Sequence, residues 1–258
     1  MDDASSVKYY DNYADHLSSR GVTSGETPEL TYLRREKVTA YRFKIIDKYL
    51  DKRSSVLEIG GGCGNFIGKL HESGKIQKAA LLESCKQHLE FAERKFGISC
   101  YSSIDQISGM TFDRIFMFHT LEHIRTPHKF LKTIRRILKP GGLIVIEVPC
   151  SADPLLRIYN CSKYKDFYFQ PMHNFVYAEK SLRLLFSRNN FIPENFRYVQ
   201  RYPLSNHISW LSKGKPGIMP EISEIITPII DEQYILTLEK IKSTDTIFAT
   251  FKSKQNIL

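Results

Sequence analysis

The apolar and polar positions change rhythm along the chain. Up to Arg53 they read as amphipathic helix: "YLRREKVTAYRFKIIDKYL" carries apolar residues at helical spacing, so residues 1–53 are expected to form an N-terminal helical segment or lid. From Ser55 short buried-strand runs alternate with amphipathic helices. "SVLEI" predicts a strand, "NFIGKLHESG" a helix closed by Gly74, "KAALLE" a strand, "KQHLEFAERKFG" a helix ending at Gly97, and "ISCY" a short strand. "FDRIFMF" predicts a fourth strand and "PHKFLKTIRRILK" a helix with Pro127 near its start. Pro140-Gly141-Gly142 then reads as a turn and "LIVIEVP" as a fifth strand. Strands alternating with helices imply an α/β, doubly wound, mostly parallel sheet. Its right-handed crossovers bring the carboxyl ends of the strands to one edge, where ligands bind.

After Pro149 the rhythm breaks. Residues 150–175 are irregular and rich in Tyr and Phe; "AEKSLRLLFSRNN" predicts a helix, "NFRYVQRY" a strand and "DTIFATFKS" a closing strand. Residues 54–258 are read as one domain, with 150–175 and 203–243 as a cap on the substrate side.

The composition, 42% hydrophobic and 25% charged over 258 residues, is that of an ordinary globular chain with a self-sufficient core. The five cysteines, odd in number and without a C-x-x-C pair, read as reduced thiols rather than a disulfide framework or zinc knuckle. The polar, acidic start is not a secretory signal, and no apolar run is long enough to span a bilayer, so a cytoplasmic location is expected. The formal charge of +9 suggests an anionic partner, but the basic residues are scattered over several elements. Solvated helix faces come first, a phosphate-bearing small molecule second and nucleic acid third.

Candidate chemistry begins at "VLEIGGGCGNF". A P-loop fails there, because Cys63 stands where its first glycine belongs and Leu70 replaces the magnesium-binding hydroxyl. The dinucleotide fingerprint would need glycine at Asn65. Charge also argues against it: Glu58, two residues before Gly60, would face a pyrophosphate. S-adenosylmethionine has no phosphate and carries a sulfonium and an ammonium, so a carboxylate at the strand end favours it. Glu83, ending the second strand, can accept from two ribose hydroxyls.

These residues carry a resemblance. "LEIGGGCGNF" resembles the first motif of class I S-adenosylmethionine-dependent methyltransferases, and "HTLEHIRTPHKFLKTIRRILKPGGLIVIEVP" their fourth-to-fifth-strand block. "QPMHNFVYAEKSLRLLFSRNNF" is similar to a later segment of small-molecule members, with Asn190 in place of a glycine. "RYPLSNHISWLSKGKPG" resembles methyltransferases found with surface-polysaccharide biosynthesis. The resemblance implies a seven-stranded Rossmann-like fold and S-adenosyl-L-methionine as cofactor. It implies Gly60, Gly61, Gly62 and Gly64 along the methionine part, with Glu58 near its ammonium and Glu83 with Ser84 at the ribose. Ser103, Ile104 and Asp105 would flank the adenine, His119 and Thr120 would lie near the transferred methyl, and Arg42 would pair with the cofactor carboxylate or stand as a surface arginine.

Two rival chemistries are weighed. His119, Glu122 and His123 spell H-x-x-E-H, a zinc-peptidase pattern, but that site needs both histidines on one continuous helix and Arg125-Thr126-Pro127 interrupts it. No metal is expected, and His123 reads as a packing or loop-anchoring residue. Cys150 after Pro149 suggests the nucleophile of cytosine methylation, yet it follows the wrong strand, and a buried thiol is the simpler reading. The expectation is an enzyme: a methyltransferase O-methylating a small polar anionic acceptor, such as a sugar, sugar nucleotide or surface-polysaccharide precursor. His173 is the first choice of general base and His119 the second. Tyr13, Asn206 and His207 are candidate substrate contacts, and Tyr202 and Trp210 could stack on a sugar. An RNA or protein methyltransferase and a non-catalytic cofactor-binding subunit are carried as rivals, and the sequence leaves room for assembly with further copies of the chain.

Overall fold

The computed structural model describes residues 27–169 and 173–254; the candidate lid residues Tyr9, Tyr10 and Tyr13 lie outside them. Among the described residues, helices α1 (Pro28–Arg34) and α2 (Glu36–Ile46) precede β1 (Ser55–Ile59). Then follow α3 (Asn65–Glu72), β2 (Lys78–Leu82), α4 (Lys86–Phe96), β3 (Ser99–Tyr101), β4 (Phe112–Phe118), α5 (Pro127–Ile137) and β5 (Leu138–Pro149). The rest comprises α6 (Pro154–Arg157), α7 (Ser162–Tyr168), α8 (Glu179–Ser187), β6 (Phe191–Val199), α9 (Leu204–Lys213), α10 (Pro220–Ser223), α11 (Pro228–Lys240) and β7 (Thr246–Ser253). The seven strands form one sheet in the order β3-β2-β1-β4-β5-β7-β6.

Among the described residues the expected N-terminal helical segment is two helices that meet at Arg35, which caps α2 with φ −85° and ψ 0°. The predicted alternation of strand and helix from Ser55 to Pro149 is present, with one local difference. The expected Pro140-Gly141-Gly142 turn falls inside the range of β5, where Gly141 takes φ +74°. The irregular stretch after Pro149 holds α6 and α7. Asp153 starts α6 by accepting from Leu155 N at 2.7 Å, and Tyr164 Oη donates to it at 2.6 Å.

The chain divides into two compact units. One takes the described residues up to Phe118, with Lys132–Ile144 and the chain from Ser253; the other takes His119–Leu131 and Val145–Lys252. In the first, β1 runs parallel to both β2 and β4, with Glu58 opposite Leu81 and Phe116. All five β1 residues are buried, as expected of a central parallel strand. Phe66 of α3 lies 5.2 Å from Phe116 and 4.8 Å from Phe118 in edge-to-face contact. A Cβ on Gly68 would come within 2.4 Å of the Phe96 ring, so the glycine that invited a P-loop reading serves the packing of α3 on α4. In the second unit Phe186 stacks on Phe251, ring centres 3.7 Å apart. Asn190 adopts φ +63°, the left-handed conformation for which the similar segment uses glycine and which asparagine tolerates.

Candidate active site

The turn between β1 and α3 is built by backbone that only glycine adopts readily. Gly60, Gly62 and Gly64 have φ of +73°, +57° and +71°. Gly61 is required for a different reason: its Cβ would sit 2.6 Å from Glu58 Cδ. Glu58 therefore lies against the turn. It is 2% exposed and accepts from the Ile67 amide at 3.1 Å in the first turn of α3. Burial pushes its carboxyl up to about 7, opposed by Arg42, by the Ile67 amide and by Arg35.

Glu83, just past β2, reaches the same turn. One carboxylate oxygen accepts from Gly62 N at 2.8 Å and the other from Cys85 N at 3.0 Å and Ser84 Oγ at 3.3 Å. An ionised carboxylate has about four lone-pair sites, so with these three donors the oxygen that meets Gly62 N keeps room for one more. Two arginines flank the cradle. Arg42 lays its guanidinium 4.5 Å from the Phe118 ring centre. Arg35 holds Nη1 2.7 Å from where a Gly62 Cβ would be. Arg35 was missed in the sequence; its only signal was the "LRREK" basic run. Beyond β3, Ser103 caps the 3-10 turn Ile104–Ile107 in a capping box with Gln106. Ile104 there is half-buried and Asp105 is exposed.

In the second unit His119 follows directly on β4 and takes φ +53°, a strained value for a residue with a Cβ. Its amide donates to the Glu147 carbonyl at 2.8 Å. Its ring is held from both sides: Nδ1 lies 3.1 Å from Glu122 Oε1, and Nε2 accepts from Arg201 Nη1 at 2.8 Å. Burial and Arg201 oppose its positive charge, but Glu147 and Glu122 outweigh them and raise its pKa. Neutral His119 accepts from Arg201, whereas the protonated ring would donate to Glu147 Oε1, 3.3 Å from Nε2. Neither state offers a lone pair to an acceptor's proton. The expectation of His119 as a general base is corrected accordingly. Thr120 is half-buried and precedes the 3-10 turn Leu121–His123.

The zinc-peptidase pattern has no continuous helix beneath it, because only that short turn lies between β4 and α5. A different set meets instead. His123 and His173 have ring centres 5.1 Å apart, and Glu122, His123 and His173 each present a ligand atom within 4.8 Å of the others. His173 Nδ1 lies 2.7 Å from the Tyr168 carbonyl.

His207 is 1% exposed, with Nδ1 at 2.9 Å from Tyr234 Oη and Nε2 at 3.2 Å from Gln200 Nε2. Burial lowers its pKa to about 4. It is an interior residue bonded at both nitrogens, which corrects its reading as a substrate contact. Asn206 is also buried, with Nδ2 3.5 Å from the Gly217 carbonyl. Trp210 packs edge-on to Tyr164 at 5.0 Å and belongs to a core cluster rather than to a sugar platform. Cys150 is 1% exposed and burial pushes its thiol up to about 12, in agreement with a buried thiol.

A family model described as "Methyltransferase domain" matches residues 32–193, more than half of the chain. The chain belongs to the methyltransferase domain family. It is an S-adenosylmethionine-dependent methyltransferase. The chain is 26% identical over 196 residues to the ubiquinone/menaquinone biosynthesis C-methyltransferase UbiE of Pasteurella multocida, covering 67% of this chain and 73% of the relative. Its fold is similar to a SAM-dependent methyltransferase from Archaeoglobus fulgidus (TM-score 0.59, 21% identity, 85% of this chain and 94% of the other). It is also similar to a chain in the complex between the Haloferax volcanii Trm112 methyltransferase activator and a methyltransferase (TM-score 0.63, 14% identity, 95% and 98%).

The glycine turn of this methyltransferase fits such a cofactor. A turn whose glycines leave no room for a side chain at Gly61 or Gly62, with the carboxylates of Glu58 and Glu83 against it, suits a cationic ligand without phosphate. Among the described residues no helix is long and apolar enough to cross a membrane.

Proposed function

We propose that this methyltransferase transfers a methyl group to a hydroxyl oxygen of a small, polar, anionic acceptor. The acceptor class is a sugar, a sugar nucleotide or a related surface-polysaccharide precursor. The observation that carries the oxygen acceptor is the cluster of His123 and His173 beside the buried Glu122, where a hydroxyl can be stripped of its proton. The charge of +9 supports an anionic acceptor.

In this reading Glu83 and Ser84 hold the ribose hydroxyls, and Gly60, Gly61, Gly62 and Gly64 let the backbone approach the methionine part. Glu58 contributes negative potential beneath its ammonium, and Arg42 and Arg35 take its carboxylate. Ser103, Ile104 and Asp105 flank the adenine, and His119 and Thr120 border the methyl. When bound, S-adenosylmethionine supplies a methyl on a positively charged sulfur that leaves as a neutral thioether. The chain's own tasks are to align the acceptor oxygen, exclude water and receive the hydroxyl proton.

A second reading, methylation at carbon, is favoured by the similarity to the Pasteurella multocida C-methyltransferase. Transfer of labelled methyl into a fractionated extract of the source cells, followed by NMR of the labelled product, tests both. An O-methyl signal in the small-molecule or glycan fraction is expected. A C-methyl product would establish the second reading, and label in RNA or protein would overturn both. Cofactor bound with no label anywhere would favour a non-catalytic subunit.

A further inference from the structure

We propose that Glu122, His123 and His173 form a binding site for a divalent transition-metal ion of the zinc type. The inference deepens the function proposed above and rests on it only for what the ion would do to an acceptor. It departs from the metal-free expectation of the sequence. The H-x-x-E-H run is read there through His119 and His123, whereas the fold sets His123 and Glu122 beside His173, fifty residues later in the chain.

Three observations carry it. The first is the buried carboxylate. Glu122 is wholly buried, and one oxygen faces His119 Nδ1 at 3.1 Å. The other, Oε2, is inaccessible and has no hydrogen-bond partner among the described residues. A buried carboxylate oxygen without a partner costs several times what a satisfied one does, and a cation satisfies it. The second is the tautomer of His173. Its Nδ1 donates to the Tyr168 carbonyl at 2.7 Å, which puts the lone pair on Nε2. Metal-binding histidines are oriented by this kind of bond to a backbone carbonyl. The third is the backbone. Asn174 Nδ2 donates to the His123 carbonyl at 2.7 Å and Phe175 N to the Glu122 carbonyl at 3.2 Å. Two segments distant in sequence are thus joined residue against residue where the three side chains converge.

Two imidazoles and one carboxylate are a borderline donor set suited to Zn²⁺, Co²⁺, Fe²⁺ or Mn²⁺, and three protein ligands leave coordination positions open. An acceptor's hydroxyl oxygen would fill one of them, where the ion's charge lowers the hydroxyl pKa as it does that of bound water, and the hydroxyl proton would pass to solvent rather than to His173. His173 is then a ligand rather than a general base, and His119 is a positioning residue that fixes the rotation of Glu122.

The test is cobalt(II) titration of the full, untagged chain after chelator treatment and dialysis, followed by visible absorption and by metal content after gel filtration. One ion per chain is expected, with a ligand-field spectrum showing nitrogen ligation and displacement by zinc. His123→Ala and His173→Ala should each weaken binding at least tenfold, while His71→Ala on the exposed face of α3 should leave it unchanged. Circular dichroism and S-adenosylmethionine binding of each variant establish that it is folded. Absence of stoichiometric binding by the wild-type chain, or equal binding by folded His123→Ala and His173→Ala, would overturn the metal site. S-adenosylmethionine binding and methyl transfer are measured separately, so the proposed function can stand or fall independently of the ion.

Discussion

Arg201 Nη1 donates to Nε2 of His119 at 2.8 Å while its Nε reaches Asp245 Oδ1 at 3.0 Å, so one guanidinium ties the residue after β4 to the residue before β7. The Arg201 amide also donates to Asp245 Oδ2 at 3.0 Å, and Asp245 is fully buried. Replacing Arg201 with Met would leave that carboxylate without its charged partner. Removing one member of a buried ion pair costs about 3–5 kcal/mol. Urea denaturation of Arg201→Met is expected to show a loss in this range; a loss below about 1 kcal/mol would show that the Asp245 carboxylate is held by its remaining bonds from Thr246 Oγ1 and the backbone amide of residue 201 alone.

The buried Glu58 predicts a pH dependence of stability. Its pKa in the folded chain is pushed up to about 7, above the ordinary glutamate value, so the folded state holds this proton more tightly than the unfolded chain. The favourable contribution is fully present below pH about 4.5 and is lost as pH rises through about 7. From the size of the shift, the loss is on the order of 3 kcal/mol. Glu58→Gln should be more stable than the wild type at pH 8 and show a flatter pH profile between 5 and 8. Parallel profiles for the two proteins would place the charge in contact with solvent.

Glu83→Ala removes the acceptor for Gly62 N and for the proposed ribose contacts. A hydrogen bond to a charged group is worth about 1.5–3 kcal/mol, so S-adenosylmethionine affinity by calorimetry should fall roughly tenfold to a hundredfold. Gly61→Ala places a methyl 2.6 Å from Glu58 Cδ and 2.7 Å from Leu81 Cδ1, and should cost about 1–3 kcal/mol of stability as well as cofactor affinity. Unchanged affinity in Glu83→Ala would remove the ribose assignment.

Cys150→Ala should keep methyl transfer within about twofold of the wild type, because a thiol pushed up to about 12 is not a nucleophile near neutrality. Mass spectrometry after brief iodoacetamide treatment of the native chain should find Cys150 unmodified. Loss of turnover in a folded Cys150→Ala chain would revive the covalent mechanism.

By itself the sequence determined the local structure from Ser55 to Pro149, the Pro140-Gly141-Gly142 turn excepted, because strand and helix periods and terminal glycines such as Gly97 are set by nearby residues. It determined the glycine turn and its two acids for the same reason: "EIGGGCG" and Glu83 fall at strand ends whatever the rest of the chain does. The break between α1 and α2 at Arg35 was not legible, because no proline or glycine marks it. What only the tertiary structure decided are relations between residues far apart in the chain. Arg35 reaches the glycine turn, Arg201 occupies the ring of His119, and His207 is enclosed by Gln200 and Tyr234. His173 meets His123 across fifty residues, through hydrogen bonds from Asn174 and Phe175. Periodicity records which face of an element is buried, but not which side chain will lie opposite it, and that is settled only when the backbone segments are packed together.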